Sequence, residues 1–250
     1  MEKKLEIREC ETHDELAECV QLQRDVFALP EAELSPVRHL IVTKNAGGFT
    51  LGAYDGDRLA GFVLSVPAVM RGERAFYSHM TGVRQEYQSL GIGAKLKWAQ
   101  RERALADGVR FIKWTFEPIK ARNAYFNLEK LGAVVCEFQQ NFYGMDYATA
   151  PETAGQQFGL ASDRLFAEWH LESEKVVALA AGQTWAELSE PVTEIVTIND
   201  WSELVERDPA AALAEQMRIR GEFEAAFADG LIARSFRRDD IHPSYLLYKS

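Results

Sequence analysis

Ser78 to Gly93, SHMTGVRQEYQSLGIG, constrains this chain more than any other stretch. It reads as a strand, a glycine-bearing turn and the start of a helix that runs to about Asp107. Glycine at 91 and 93 removes the Cβ atoms that would keep a ligand off the main chain. A helix N-terminus carries unpaired N–H groups and about half a positive charge, so a phosphate or pyrophosphate is favoured there. On these residues alone, an ordinary turn accounts for the glycine pair as well as an anion seat does.

The rest of the composition removes several classes of protein. The chain has 250 residues, 47% hydrophobic and 26% charged, enough for one large domain or two small ones with a sizeable core. A net charge of -10 argues against a nucleic-acid groove. The N-terminal MEKKLEIREC shows no apolar segment of a secretory signal, and no apolar run approaches the ~18 residues of a membrane span. Cys10, Cys19 and Cys136 are odd in number and lack metal-type spacing, as in a reduced cytoplasmic protein with no disulfide framework. The five histidines form no H-E-x-x-H or Cys/His cluster, so no metal is expected.

In chain order, Leu5–Glu9 alternates as a short strand, and Thr12-His-Asp-Glu15 has the form of a capping box opening a helix over 13–28. Pro30 and Pro36 bound a loop or short helical piece. Phe49–Tyr54 and Leu59–Val66 read as strands joined by Asp55-Gly56, a hairpin signal. Phe76–Val83 follows, and simple alternation puts Tyr77, His79, Thr81 and Val83 on one side. The helix after the turn shows a stripe of Ile92, Leu96, Ala99 and Ala106, with Arg103 falling in it. Phe111–Phe116 is a strand, and Ala121, Ala124, Leu128 and Leu131 share the face of a helix stopped by Gly132. Val134–Tyr143 is a strand, and residues 149–162 have linker composition. Strands are expected at Arg164–Leu171, Thr193–Ile198, Leu231–Phe236 and Tyr245–Tyr248, the last two as a hairpin. Glu174–Ala181 is ambiguous, and Asp208-Pro209 opens a long helix to Gly230. The layout is α/β (α+β).

Val83, Glu86, Tyr87, Gln88, Gly91 and Gly93 follow a strand–turn–helix order that resembles the GNAT superfamily of CoA-dependent N-acyltransferases, with Gln85 in place of the usual proline. The resemblance implies a mixed central sheet flanked by helices. It implies that Gln88, Ser89, Leu90, Gly91, Ile92, Gly93 and Ala94 bind the CoA pyrophosphate, and that the main chain of Thr81, Gly82 and Val83 pairs with the pantetheine arm. Ser78-His79-Met80, Leu96–Ala104, Trp114–Pro118, Asn123–Gly132 and Asp163–Trp169 further resemble a subgroup of acetyltransferases with a C-terminal extension and no assigned acceptor. Residues 1–148 are then the acyl-CoA-binding core. Residues 160–250 complete the sheet, or form a small second subdomain, a lid or a homodimer contact.

The function implied is acetyl transfer from acetyl-CoA to a primary amine of a small molecule or peptide in the cytoplasm, with no nucleic-acid or membrane partner. His79 is the candidate base: its ordinary pKa suits proton traffic, and it stands four residues before Val83, as in aralkylamine-type relatives. A half-buried histidine bonded to backbone is the alternative. Glu117, at a strand end, accepts an amine proton or binds a cationic acceptor, or else caps the following helix. Asn123 stands for an asparagine that the family uses near the CoA arm, although the usual spacing falls on Ala121; Asn123 and Asn127 are otherwise solvated amides. Leu128 occupies the position of the family's thiolate-protonating tyrosine, and Tyr125 is three residues away. Arg84, Lys95, Lys97 and Arg101 surround the turn, meeting phosphates or forming a solvated face. A non-catalytic acyl-CoA-binding module is the competing reading. A dinucleotide oxidoreductase is disfavoured because the third glycine and the acidic strand-end residue are missing.

Overall fold

The computed structural model of the chain describes residues 5–27, 29–147 and 158–250. These divide into two compact units, one of residues 5–113 and one of 114–147 with 158–250. The linker expected at 149–162 lies outside the described residues as far as 157.

The first unit opens with β1 (Glu6–Glu9) and α1 (His13–Phe27). The capping box forms: Glu15 N–H donates to Thr12 Oγ1 at 3.2 Å, and Glu15 Oε2 accepts from the amides of Thr12 (2.9 Å) and Glu11 (2.8 Å). A single turn at Glu31–Glu33 leads to α2 (Val37–Asn45), which starts after Pro36. Then come β2 (Phe49–Asp55), β3 (Arg58–Met70), β4 (Glu73–Val83), α3 (Ile92–Ala106) and β5 (Phe111–Phe116), whose first residues belong here. β1 to β4 pair antiparallel in sequence order, and β5 joins β4 in parallel.

β3 and β4 run further than their sequence pattern suggests. They meet at Arg71 (φ 53°) and Gly72 (φ 81°), a two-residue turn with both central residues left-handed. Pro67 obscures this hairpin because proline cannot donate to a ladder, yet it is accommodated opposite Phe76.

A β-bulge overturns the simple alternation of β4. Ser65 faces Ser78 and Leu64 faces Met80, so His79 is the extra residue. Opposed residues share a face, which puts Tyr77, Met80 and Gly82 on one side and Phe76, Ser78, Thr81 and Val83 on the other. The first face packs under α1 and α2 with Leu16, Cys19, Leu22, Leu40, Phe62 and Leu64. The second meets α3, whose buried residues are Ile92, Leu96, Lys97, Gln100 and Ala104. Ala99, expected in that stripe, is only half-buried, and Ala106 is exposed. Polar side chains take their place because β3 and β4 offer partners: Gln100 Nε2 donates to Ser65 Oγ at 2.7 Å, and Lys97 Nζ donates to Ser78 Oγ at 3.0 Å.

The second unit takes the end of β5, α4 (Ala121–Tyr125), a π-helical turn over Phe126–Lys130 and β6 (Val134–Gln139). It continues with β7 (Arg164–His170), α5 (Glu174–Ala180), β8 (Thr193–Val196), α6 (Trp201–Arg207), α7 (Pro209–Ala228), β9 (Leu231–Arg237) and β10 (Ser244–Lys249). The strand expected to reach Tyr143 stops at Gln139, and α6 had no clear sequence signal. The order β7-β6-β9-β10-β8 is antiparallel throughout. Asp208 caps α7 by accepting from Ala211 N at 3.0 Å. Phe223 of α7 packs against Phe138 and Tyr245, and Arg220 forks onto the buried Asp163 with both bonds at 3.0 Å.

Candidate active site

The turn before α3 is anchored from below. Tyr87 is buried and donates its hydroxyl to Asp55 at 2.8 Å. Arg84 Nε donates to the Leu59 carbonyl at 2.8 Å, and its guanidinium sits 2.6 Å from Asp25. Gln88 Nε2 returns to the Val83 carbonyl at 3.2 Å. Beyond these anchors the chain rises through Ser89 (φ 66°) to Gly91 (φ 74°), the N-cap of α3. Gly91 brings no side-chain acceptor, and the first turn holds no acidic residue. Its amides therefore face outward with a positive end and no anion of their own. A Cβ added at Gly91 or Gly93 would meet nothing within 4 Å beyond its chain neighbours and its own helix. Gln88, Ser89, Leu90 and Gly91 are exposed, Gly93 and Ala94 half-buried, and Ile92 turns into the core.

Two of the basic residues around this turn are committed elsewhere. Arg84 pairs with Asp25, and Lys97 is buried against Ser78. Burial pushes the Lys97 amine well below its ordinary pKa. Lys95, in the first turn, remains exposed.

The main chain of Thr81, Gly82 and Val83 pairs with β3 through Val63, Phe62 and Gly61. The ladder from β5 meets β4 at Phe76 and Tyr77. Among the described residues of this unit, the second edge of Thr81–Val83 carries no strand.

His79, lifted out by the bulge, turns toward α2. Its Nε2 lies 3.3 Å from Ser35 Oγ, and its ring meets His39 edge to face at 6.1 Å between centroids. The imidazole keeps access to solvent but has protein on several sides. Desolvation, then the nearby His39, lowers its pKa below the ordinary histidine value. Ser35 is held by the fully buried Gln23, which donates to the Ser35 carbonyl at 3.1 Å and accepts from its amide at 2.9 Å. Sequence reasoning missed Gln23, Ser35 and His39. No local pattern singles them out, because α1, the loop after it and β4 meet only on folding.

Glu117 and Asn123 belong to the second unit. Glu117 directly follows β5, with its carboxylate 2.5 Å from Lys120 Nζ. The peptides after it are fixed by the C-terminal segment: Tyr245 donates to the Pro118 carbonyl at 2.7 Å, and Thr197 to that of Ile119 at 2.6 Å. Asn123 is half-buried in α4. Asn127 is not a solvated amide: it is buried and accepts from Trp114 Nε1 at 3.2 Å. Leu128 is fully buried, and Tyr125 lies beneath the Arg238 guanidinium, 5.0 Å from the ring centroid. Among the described residues no group of three or more His, Cys, Asp or Glu side chains is placed to hold a metal ion, and no helix is long and apolar enough to cross a membrane.

An open glycine-capped helix start beside a bulged strand is found on a fold that solved acyltransferase structures share. A GNAT-family protein from Desulfovibrio desulfuricans aligns at 16% identity over 67% of this chain and 99% of its own, with a TM-score of 0.53. The GNAT-family acetyltransferase of Streptococcus pneumoniae aligns at 20% over 66% and 98%, TM-score 0.51. The ribosomal-protein-S18-alanine N-acetyltransferase of Escherichia coli aligns at 14% over 66% and 92%, also at 0.51. At such identities the likeness is one of fold. Residues 12–133 match the family model described as the acetyltransferase (GNAT) family, and the chain carries a GNAT acetyltransferase domain. No curated protein matches the chain.

Proposed function

We propose that the protein is an N-acetyltransferase that moves an acetyl group from acetyl-CoA directly to a primary amine of a small molecule or peptide. The observation that carries this reading is the uncapped start of α3, where left-handed Gly91 and the open space at Gly91 and Gly93 present first-turn amides to an anion. Residues Gln88 to Ala94 seat the pyrophosphate, with Lys95 as an exposed cation in the same helical turn. The unladdered edge of Thr81–Val83 takes the pantetheine amides. Acetyl-CoA supplies an activated thioester. The protein supplies alignment, which alone can account for much of the acceleration. His79, kept neutral by its surroundings, accepts the proton that the amine loses as its C–N bond forms, and the C–S bond breaks to release the thiolate, which takes its proton from water. On sequence grounds alone, Glu117 is assigned to a cationic acceptor and, by the family resemblance, Asn123 to the CoA arm. A cytoplasmic setting fits the free thiols of Cys10, Cys19 and Cys136.

One observation favours a second reading. Buried Leu128 cannot donate a proton to a departing thiolate, as a non-catalytic acyl-CoA-binding module would allow. A thermal-shift titration with acetyl-CoA, with NADH as control, tests the seat. Ligand at 100 times Kd stabilises the native state by roughly 2.7 kcal/mol. No shift withdraws both readings. A shift together with thiol release across an amine panel selects the enzyme, and a shift without release selects the binding module.

A further inference from the structure

Ser35 has no part in the site as the sequence presents it, yet three features converge on its hydroxyl. Its main chain is clamped at both ends by one side chain, with Gln23 taking the Ser35 carbonyl and amide at 3.1 and 2.9 Å. Gln23 is fully buried and Ser35 nearly so, which fixes the hydroxyl relative to α1. That hydroxyl lies 3.3 Å from Nε2 of His79, the residue that the bulge pushes out of β4. The bulge is pinned from the opposite face by Lys97 and Gln100, both bonded to Ser78 Oγ.

A neutral imidazole has one N–H and one lone pair, and the partner of one nitrogen decides which is which. A serine hydroxyl can accept or donate. If Ser35 donates to Nε2, the proton rests on Nδ1 and His79 presents no basic nitrogen away from Ser35. If Ser35 accepts from Nε2–H, Nδ1 carries the lone pair.

We infer that Ser35, held by Gln23, is a positioning residue that accepts from Nε2–H of His79, so that Nδ1 is the nitrogen that takes the proton of the incoming amine. The inference rests on the acyl-transfer reading for its purpose, but the contact itself stands independently of it. His39, edge-on at 6.1 Å, is the titratable group that faces the ring. It disfavours a second positive charge and so works with Ser35 to keep the lone pair available.

The test needs no substrate. Histidine-selective nitrogen-15 labelling of the full chain, with long-range proton–nitrogen correlations recorded above the His79 pKa, reports which nitrogen carries the proton. His79→Gln identifies the signals. The expected result is the Nε2–H tautomer in the parent protein, a mixture of tautomers in Ser35→Ala, and restored Nε2–H preference in Ser35→Thr. An Nδ1–H tautomer in the parent overturns the inference whatever the variants do. So does an unchanged tautomer in a Ser35→Ala protein whose other histidine signals stay in place. Unaltered turnover and pH profile in His79→Ala would instead remove His79 as the base, and the tautomer result separates that failure from this one.

Discussion

Gly91→Ala probes the proposed seat with a change whose effects separate cleanly. Gly91 sits at φ 74°, ψ 11°. An L-residue with a Cβ pays about 1–2 kcal/mol in that region. For a chain of this length that lowers Tm by roughly 2–8 °C. Beyond its own chain neighbours the added methyl meets nothing within 4 Å, so the loss is local backbone strain and not a clash with a packed residue. The strain is relieved only by rotating the flanking peptides, which turns the first amides of α3 away from a common point. A tenfold weakening of acetyl-CoA binding costs about 1.4 kcal/mol. At a ligand concentration that stabilises the parent by roughly 2.7 kcal/mol, the variant then gains only about half as much. Differential scanning fluorimetry with and without acetyl-CoA reads both numbers. Gly56→Ala is the control, being equally left-handed (φ 62°) and open but in the β2–β3 turn, and it should lose stability while keeping the full ligand shift. An unchanged Tm for Gly91→Ala would refute the left-handed cap. A ligand shift equal to the parent's would refute the seat.

Other expectations follow from the same structure. The amides of Thr12 and Glu11 and the Arg8 guanidinium hold the Glu15 carboxyl at about 2 against an ordinary 4.5. Its contribution is therefore complete above 4.5 and lost as pH falls toward 2. Glu15→Gln should flatten that part of a denaturation-versus-pH curve, and Thr12→Ala should cost about 1 kcal/mol at neutral pH. Asp163→Ala leaves Arg220 buried without its fork and should cost about 3–5 kcal/mol in chemical denaturation. Adding Arg220→Met should recover most of it, and a full additive loss would show that the pair is not what matters. His79→Ala should lower kcat by roughly 10²–10⁴-fold once an acceptor is found. In the parent, activity should rise with pH through a midpoint below 6.5, since burial lowers that pKa and the base must be neutral; a rising limb above 6.5 would assign it to another group.

Local patterns proved legible where the physics is local. The capping box at Thr12–Glu15, the hairpin at Asp55-Gly56 and the glycine-bearing entry to α3 each depend on residues within one turn of each other, and each forms where the pattern places it. Periodicity failed where a distant partner outweighed it. Gln100 and Lys97 lie in the buried face of α3 because Ser65 and Ser78 on two other strands receive them. Asn127 left the solvent because Trp114, thirteen residues earlier, needed an acceptor for its indole N–H.

The sequence by itself determined the glycine-bearing helix start that we propose as the seat: a strand, two glycines and a helix start are covalently adjacent, and their spacing decides where free amides face outward. Tertiary structure alone decided the surroundings of His79. A period-two pattern cannot announce a bulge, because the bulge exists only in the register between β3 and β4. Strict alternation would have aligned His79 with Thr81 and Val83 on the α3 side. The extra residue instead turned the ring toward Ser35 and His39, where the fold of α1, its following loop and α2 had already placed them.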